Sequence, residues 1–281
     1  MNTFTLRKWY FDVVDIEGRS AIAYWAALEW GAATLRWHAA TLHSNGEVAR
    51  HRSSVRFAEE PTLRAMSPNA PPPLAAAVAC GRTRLRGRGA DEISWRSDAI
   101  DCEVSCLPLG PAFAAELRPL LDWRCEAPAG LVAIGVGGET VAGPGYAECL
   151  ELRCPPWQLP IDELVWGRWV AQDGSRSVAW IEWRGAEPKT VTVVDGLSAQ
   201  PIGVRDEEVR TAGETLTLRD RVVLHERTLG DLLGGVTRVV PGLPGRWLGL
   251  EDRKWLSRGT LTAPSGRCWD GWAIHERIVF P

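Results

Sequence analysis

The 281-residue chain has two methionines, three lysines and five phenylalanines, and none of its seven cysteines forms a Cys-x-x-Cys pair. An odd number of scattered cysteines excludes a disulfide framework and a zinc knuckle, so free, largely buried thiols are expected. Cys102 and Cys106 stand four apart, but their surroundings alternate like a strand, where both would face a core rather than a metal. No continuous apolar segment opens the chain over Met1 to Asp12. The longest weakly polar stretch, Pro71 to Cys80, is far below the roughly 20 residues that cross a bilayer. The reading is a cytoplasmic protein without secretory leader or transmembrane segment. Peripheral contact with a membrane stays open, and no oligomeric state is assigned.

Charge is also sparse in one sense. A net charge of -3 and a pI near 6.0 supply no broad basic field, which argues against a nucleic-acid partner. The series Arg82, Arg84, Arg86, Arg88 has period two and reads as one solvated or edge-protecting strand face. Catalytic signatures are missing as well: there is no Gly-x-Ser-x-Gly elbow, phosphate loop, dinucleotide fingerprint or His-Glu-x-x-His helix. Gly135-Val136-Gly137-Gly138 has no helix to follow it and reads as a hairpin turn. No cofactor and no metal site is expected.

What the chain does have is tryptophan, with 15 copies, and an apolar pattern of period two almost throughout. Large rigid rings fill barrels and also line sites for flat apolar ligands. Trp9, Phe11 and Val13 alternate with Lys8, Tyr10 and Asp12; after a turn at Glu17-Gly18, Ile22, Tyr24, Ala26, Leu28 and Trp30 continue a hairpin. The strongest helical signal, Phe113 to Leu121, spans two turns and is broken by Pro119. Many short strands with dense Gly and Pro punctuation must close into barrels or stack as sandwiches to bury one face.

An internal repeat organises these strands. Trp9 to Val14, a turn at Gly18 and Ser20 to Trp25 recur as Trp166 to Ala171, a turn at Gly174 and Ser177 to Trp180. Gly145 to Leu150 likewise resembles Gly271 to Glu276. The expectation is an all-β fold of two antiparallel barrel halves arising by duplication, residues 1–155 and 156–281, joined at Pro155-Pro156, with Pro61 to Pro73 holding part of the first half's extra length.

Carboxylates on apolar strand faces are the most informative polar residues, because an unpaired buried charge is costly. Alternation puts Glu148 with Tyr146, Leu150 and Leu152, Glu226 with Val222 and Leu224, and Glu276 with Trp272, Ile274, Ile278 and Phe280. Each would either pair with an arginine such as Arg168 or retain a proton for chemistry. Glu148 is the favoured acid because Tyr146, two residues earlier, would project beside it.

Gly143-Pro144-Gly145-Tyr146-Ala147-Glu148, then Pro156 to Ile161 and Leu164 to Trp169, resemble the central motif of the carotenoid hydratase (hydroxyneurosporene synthase) and AttH-like family. Lys8 to Asp12 is similar to that family's start. The resemblance implies two lipocalin-like barrels and relatives that hydrate, cyclise or join polyenes, prenylated rings or polyketide-derived chains. It places site residues at Tyr146 and Glu148, although the hydratases carry histidine and aspartate after the tyrosine where this chain has Ala147 and Glu148. The expected function is cofactor-independent, proton-initiated hydration or cyclisation of an apolar unsaturated small molecule. Glu148 and Tyr146 would be catalytic, and Trp166, Arg168, Trp169, Trp272 and Glu276 ligand-binding. The alternatives are a non-catalytic carrier of a lipid-like ligand and a shape-based cycloaddition catalyst.

Overall fold

The structure, a computed structural model, describes residues 4–31, 33–44, 46–57, 92–233 and 244–281. The Arg82–Arg88 series, Pro61–Pro73 and Cys80 lie outside them. Period-two patterning is realised as antiparallel sheet nearly everywhere. The first sheet holds β1 (Phe4–Val14), β2 (Ser20–Trp30), β3 (Ala33–Ser44), β4 (Glu47–Phe57), β5 (Ile93–Ser97), β6 (Cys102–Pro108), β7 (Phe113–Arg118), β8 (Leu121–Val136) and β9 (Glu139–Leu152). Its order is β4-β3-β2-β1-β9-β8-β6-β5, with β7 also on β8.

The second sheet holds β10 (Glu163–Ala171), β11 (Ser177–Arg184), β12 (Lys189–Val194), β13 (Leu197–Ala199), β14 (Pro201–Arg205), β15 (Glu208–Thr211), β16 (Thr215–Thr228), β17 (Glu251–Thr262) and β18 (Cys268–Val279). Its order, β13-β12-β11-β10-β18-β17-β16-β15-β14, repeats the first: the opening strand lies between the second and the last, as duplicated halves require. One sheet forms a half-barrel and the other a nearly closed barrel. Contacts divide the chain into two compact units, one of Met1–Pro155 with 170–177 and 194–197, the other of Pro156–Trp169, Val178–Val193 and Ser198–Pro281.

Local sequence explains the joints. Gly18 closes the β1–β2 hairpin with φ +84°, and Gly137 and Gly138, at +58° and +86°, turn β8 into β9, a region of φ that favours glycine. Phe113–Arg118 is strand, paired with β8, and Pro119 follows its end. Inside the first sheet, one face packs Phe11, Val13, Ala21, Ala23, Ala40, Leu42, Cys102, Val104, Cys106, Val132, Ile134 and Ala147 into a buried core. Cys102 and Cys106 share that face, as alternation requires. Five of the described cysteines are buried and Cys268 is exposed; all six are free thiols.

The two opening hairpins match with a shift. The amide of Gly18 bonds the Asp15 carbonyl, and the amide of Gly174 bonds the Ala171 carbonyl. Asp15 is therefore equivalent to Ala171, and the second turn is one residue longer, since Asp15 N bonds Arg19 O whereas Ala171 N bonds Arg176 O. Tyr10 then corresponds to Trp166 and Asp12 to Arg168. The alignment of Trp9 with Trp166, natural in the sequence, is off by one.

Candidate functional site

The pairing of β1 with β9 builds the site. Tyr10 stands opposite Glu148 and Asp12 opposite Tyr146, so two carboxylates occupy diagonal corners of a square whose other corners are tyrosines. Gly145 allows the close approach: a Cβ there would stand 2.2 Å from the Asp12 carbonyl oxygen. On the far side, β8 places Cys125 opposite Glu148 and Trp123 opposite Leu150. These side chains lie on the face of the sheet opposite the core described above.

Glu148 is 7% exposed, and Asp12, Tyr146 and Trp123 are each fully buried. Trp123 Nε1 donates to Glu148 Oε2 at 2.6 Å, and the Tyr146 hydroxyl donates to the same oxygen at 2.8 Å. Burial pushes the Tyr146 phenol well above its ordinary range, with Cys125 and Glu148 adding to the shift. Burial likewise pushes the Cys125 thiol well up. Both groups are thus neutral. The chain's three tyrosines meet here: Tyr10 and Tyr24 ring centroids are 5.2 Å apart, and those of Tyr10 and Tyr146 are 6.2 Å apart. Trp37 stacks on Tyr24 at 5.6 Å, and Lys8 Nζ lies 4.9 Å from the Tyr24 ring centroid. A cavity of about 310 Å³ borders Trp123, lined further by Ala114, Glu116, Asp122, Arg124, Cys149 and Glu151.

The remaining expected site residues belong to the second unit. Glu276 pairs with the buried ammonium of Lys254, which also lies 5.0 Å from the Trp166 ring centroid. Arg168, fully buried, donates Nη1 to the Trp272 carbonyl at 2.9 Å, and Arg258 lies 4.6 Å from the Trp272 ring centroid. Trp169 is fully buried and donates its indole N–H to the Gly259 carbonyl at 3.1 Å, three positions from Trp166 and on the other face of β10. Glu226 does not share a buried apolar face: irregularities in the β16–β17 pairing between Arg219 and Val222 and between Val223 and His225 reset the alternation. It is exposed and paired with Arg253. Among the described residues, no group of three or more His, Cys, Asp and Glu side chains is placed to hold a metal ion, and no helix is long and apolar enough to cross a membrane.

Sequence reasoning brought Tyr146 and Glu148 together but missed Trp123 and Asp12. Alternation had already put Tyr10 and Asp12 on one face of the first strand; only the β1–β9 pairing shows which carboxylate they meet.

No family model and no curated protein matches the chain. Among solved structures it is similar to CghA, at 11% identity and a TM-score of 0.51, with 99% of this chain and 88% of that one covered. It is equally similar to CghA crystallised with Sch210972, at 12% identity and a TM-score of 0.51, covering 99% and 89%. A candidate AttH from Nitrosomonas europaea aligns at 14% identity and a TM-score of 0.48, over 97% of this chain and 92% of that one. At these identities the likeness to CghA is one of fold: an all-β chain of two lipocalin-like barrel halves.

Proposed function

We propose that the chain is a cofactor-independent enzyme that protonates an apolar, unsaturated small molecule and directs either water or an internal nucleophile onto the resulting cation. The observation that carries this reading is the Glu148 carboxyl group, buried and held by the neutral aromatic donors Trp123 and Tyr146. Trp123 and Tyr146 both hold Oε2, which fixes the carboxyl plane, and Oε1 is the oxygen that would carry and deliver a proton. The faces of Tyr10, Tyr24 and Tyr146 would stabilise a developing cation. CghA, solved with a small organic ligand bound, lends the fold a precedent for binding such molecules.

The test is incubation of the purified protein with acyclic polyenes and prenylated aromatic compounds, followed by mass spectrometry for a product one water heavier or an isomer of the substrate. Product is expected from the wild type, and a fall of at least about a hundredfold from Glu148→Gln, the low end for loss of a general acid. A second reading is favoured by one observation: two donors on one carboxyl oxygen is also the arrangement an ionised, purely structural carboxylate makes. Under that reading the protein carries its ligand or shapes it for cycloaddition. Ligand bound in native mass spectrometry but unchanged, or an isomer formed in D2O without deuterium and undiminished in Glu148→Gln, would decide for it.

A further inference from the structure

We propose that Cys125 is a positioning residue of this site: its thiol donates to the Tyr146 oxygen and so aims the Tyr146 hydroxyl at Glu148. The direction of that bond is independent of the proposed reading of Glu148 as the acid; its consequence for turnover rests on that reading.

Cys125 is fully buried and stands directly opposite Glu148 in the β8–β9 pairing. Tyr146 lies two residues before Glu148 on the same face of β9, and a hydrogen bond joins it to the Cys125 side chain. A phenol has a single proton. Tyr146 gives that proton to Glu148 Oε2 at 2.8 Å, so in the bond with Cys125 the phenol oxygen accepts and the thiol donates. The thiol has a proton to give, because burial keeps it neutral. The reverse direction is poorer at both ends. Oε2 would have to donate while accepting from Trp123 Nε1 at 2.6 Å, and the phenol would donate to sulfur, a weak acceptor. The order Cys125, Tyr146, Glu148 therefore holds whether the carboxyl group is protonated or ionised.

Packing does not call for these polar side chains. With Gly145 matched to Gly271, Tyr146 corresponds to Trp272 and Glu148 to Ile274. Leu256 then takes the place of Cys125, since it stands opposite Ile274 as Cys125 stands opposite Glu148. The second sheet keeps the same strand order with side chains at all three positions that cannot form this chain of bonds, and Leu256 and Ile274 are buried there. Removing one member of a buried hydrogen-bonded set leaves its partner unsatisfied, whereas exchanging partners together for apolar groups is nearly neutral. Cys125, Tyr146 and Glu148 thus act as one set. The thiol's part is to hold the hydroxyl on Oε2, which fixes the carboxyl group from which Glu148 would deliver its proton.

The test is the infrared S–H stretch of the full chain, a band that moves to lower wavenumber when a thiol donates a hydrogen bond. The difference between wild type and Cys125→Ser isolates the Cys125 band from those of the other cysteines. Expected is a lowered band that rises in Tyr146→Phe, where the accepting oxygen is gone. If Tyr146→Phe does not fold, the wild-type band decides alone, by lying below that of an alkanethiol in hydrocarbon solvent or level with it. A band at the free-thiol position, or one that Tyr146→Phe leaves unmoved, would overturn the proposal. With a polyene that the wild type converts, Cys125→Ala should lower kcat about three- to tenfold, the worth of one neutral hydrogen bond, with KM little changed. Cys125→Ser, which restores a donor, should recover most of that loss. Wild-type turnover by Cys125→Ala, or a loss that serine does not reduce, overturns the positioning role. A lowered band in a protein that transforms no polyene would leave the direction of the bond standing and count against the enzymatic reading alone.

Discussion

The two halves place different chemistry on the same frame. In the first, β9 presents Glu148 to the neutral donors Trp123 and Tyr146. In the second, with Gly145 matched to Gly271, Ile274 takes the place of Glu148, Trp272 that of Tyr146 and Lys254 that of Trp123, because Lys254 stands opposite Glu276 as Trp123 stands opposite Leu150. There the buried charge is matched by a full opposite charge. Glu276 and Lys254 form a closed ion pair under Trp166, an arrangement that holds charge still. Glu148 is held in place by two hydrogen bonds from neutral donors to one of its oxygens. Duplication supplied two equivalent positions, and only one half kept acids at both corners of the square.

The sharpest way to break this contrast is acid. His275, buried between Ser257 at 2.9 Å and the stacked Trp255 ring, is pushed down to about 3 by burial, with the charges of Arg221 and Lys254 adding to the effect. Its folded pKa lies below its unfolded value of about 6.5, so the unfolded state binds more protons between those values and stability falls as pH drops through that window. The full span corresponds to at most about 5 kcal/mol. Hydrogen exchange between pH 7 and 4 should show β17 and β18 losing protection before β1 and β9, and His275→Gln should remove most of the difference. Equal losses in both halves would contradict the assignment.

Next in size is the ion pair itself. Lys254→Met leaves Glu276 buried without its ammonium and should cost about 3–5 kcal/mol in denaturant unfolding, whereas Lys254→Met with Glu276→Leu should recover most of that. Trp123→Phe keeps the ring but deletes the donor to Glu148; with the carboxyl group protonated about 0.5–1.5 kcal/mol is expected, as for Trp169→Phe, which deletes a donor to a neutral carbonyl, whereas a loss of about 1.5–3 kcal/mol would mark an ionised Glu148. Smallest is a labelling contrast without energetic consequence. Cys268 is exposed, whereas burial pushes the Cys102 thiol up to about 12. In native protein Cys268 should react with a maleimide far ahead of Cys102, Cys106, Cys125 and Cys149.

Much of this was legible in the sequence. Alternation marked the strands and placed Cys102 and Cys106 in the core, glycines marked the turns, and Tyr146-x-Glu148 on an apolar strand put two residues of the candidate site side by side. What failed to show was whatever depended on pairing across long separations. Trp123 reaches Glu148 only because β8 and β9 lie side by side, and irregularities in their pairing between Cys125 and Gly130 change which β8 residues share its face. Asp12 looked like an ordinary polar residue on a hairpin until β1 met β9. Glu226 was misplaced for the complementary reason: strict alternation was carried through a strand that is irregular at two points. Glu276 was placed on the right face, but its partner proved to be Lys254 rather than Arg168, since the cross-strand register is not written in either strand alone.

The central claim is that Glu148 is held for chemistry, and turnover by Glu148→Gln tests it most directly. Glutamine keeps an oxygen to accept from Trp123 and Tyr146, so folding and ligand affinity should stay near wild type. Product formation from a polyene that the wild type converts should fall at least about a hundredfold. Wild-type turnover in a folded Glu148→Gln protein would contradict the account.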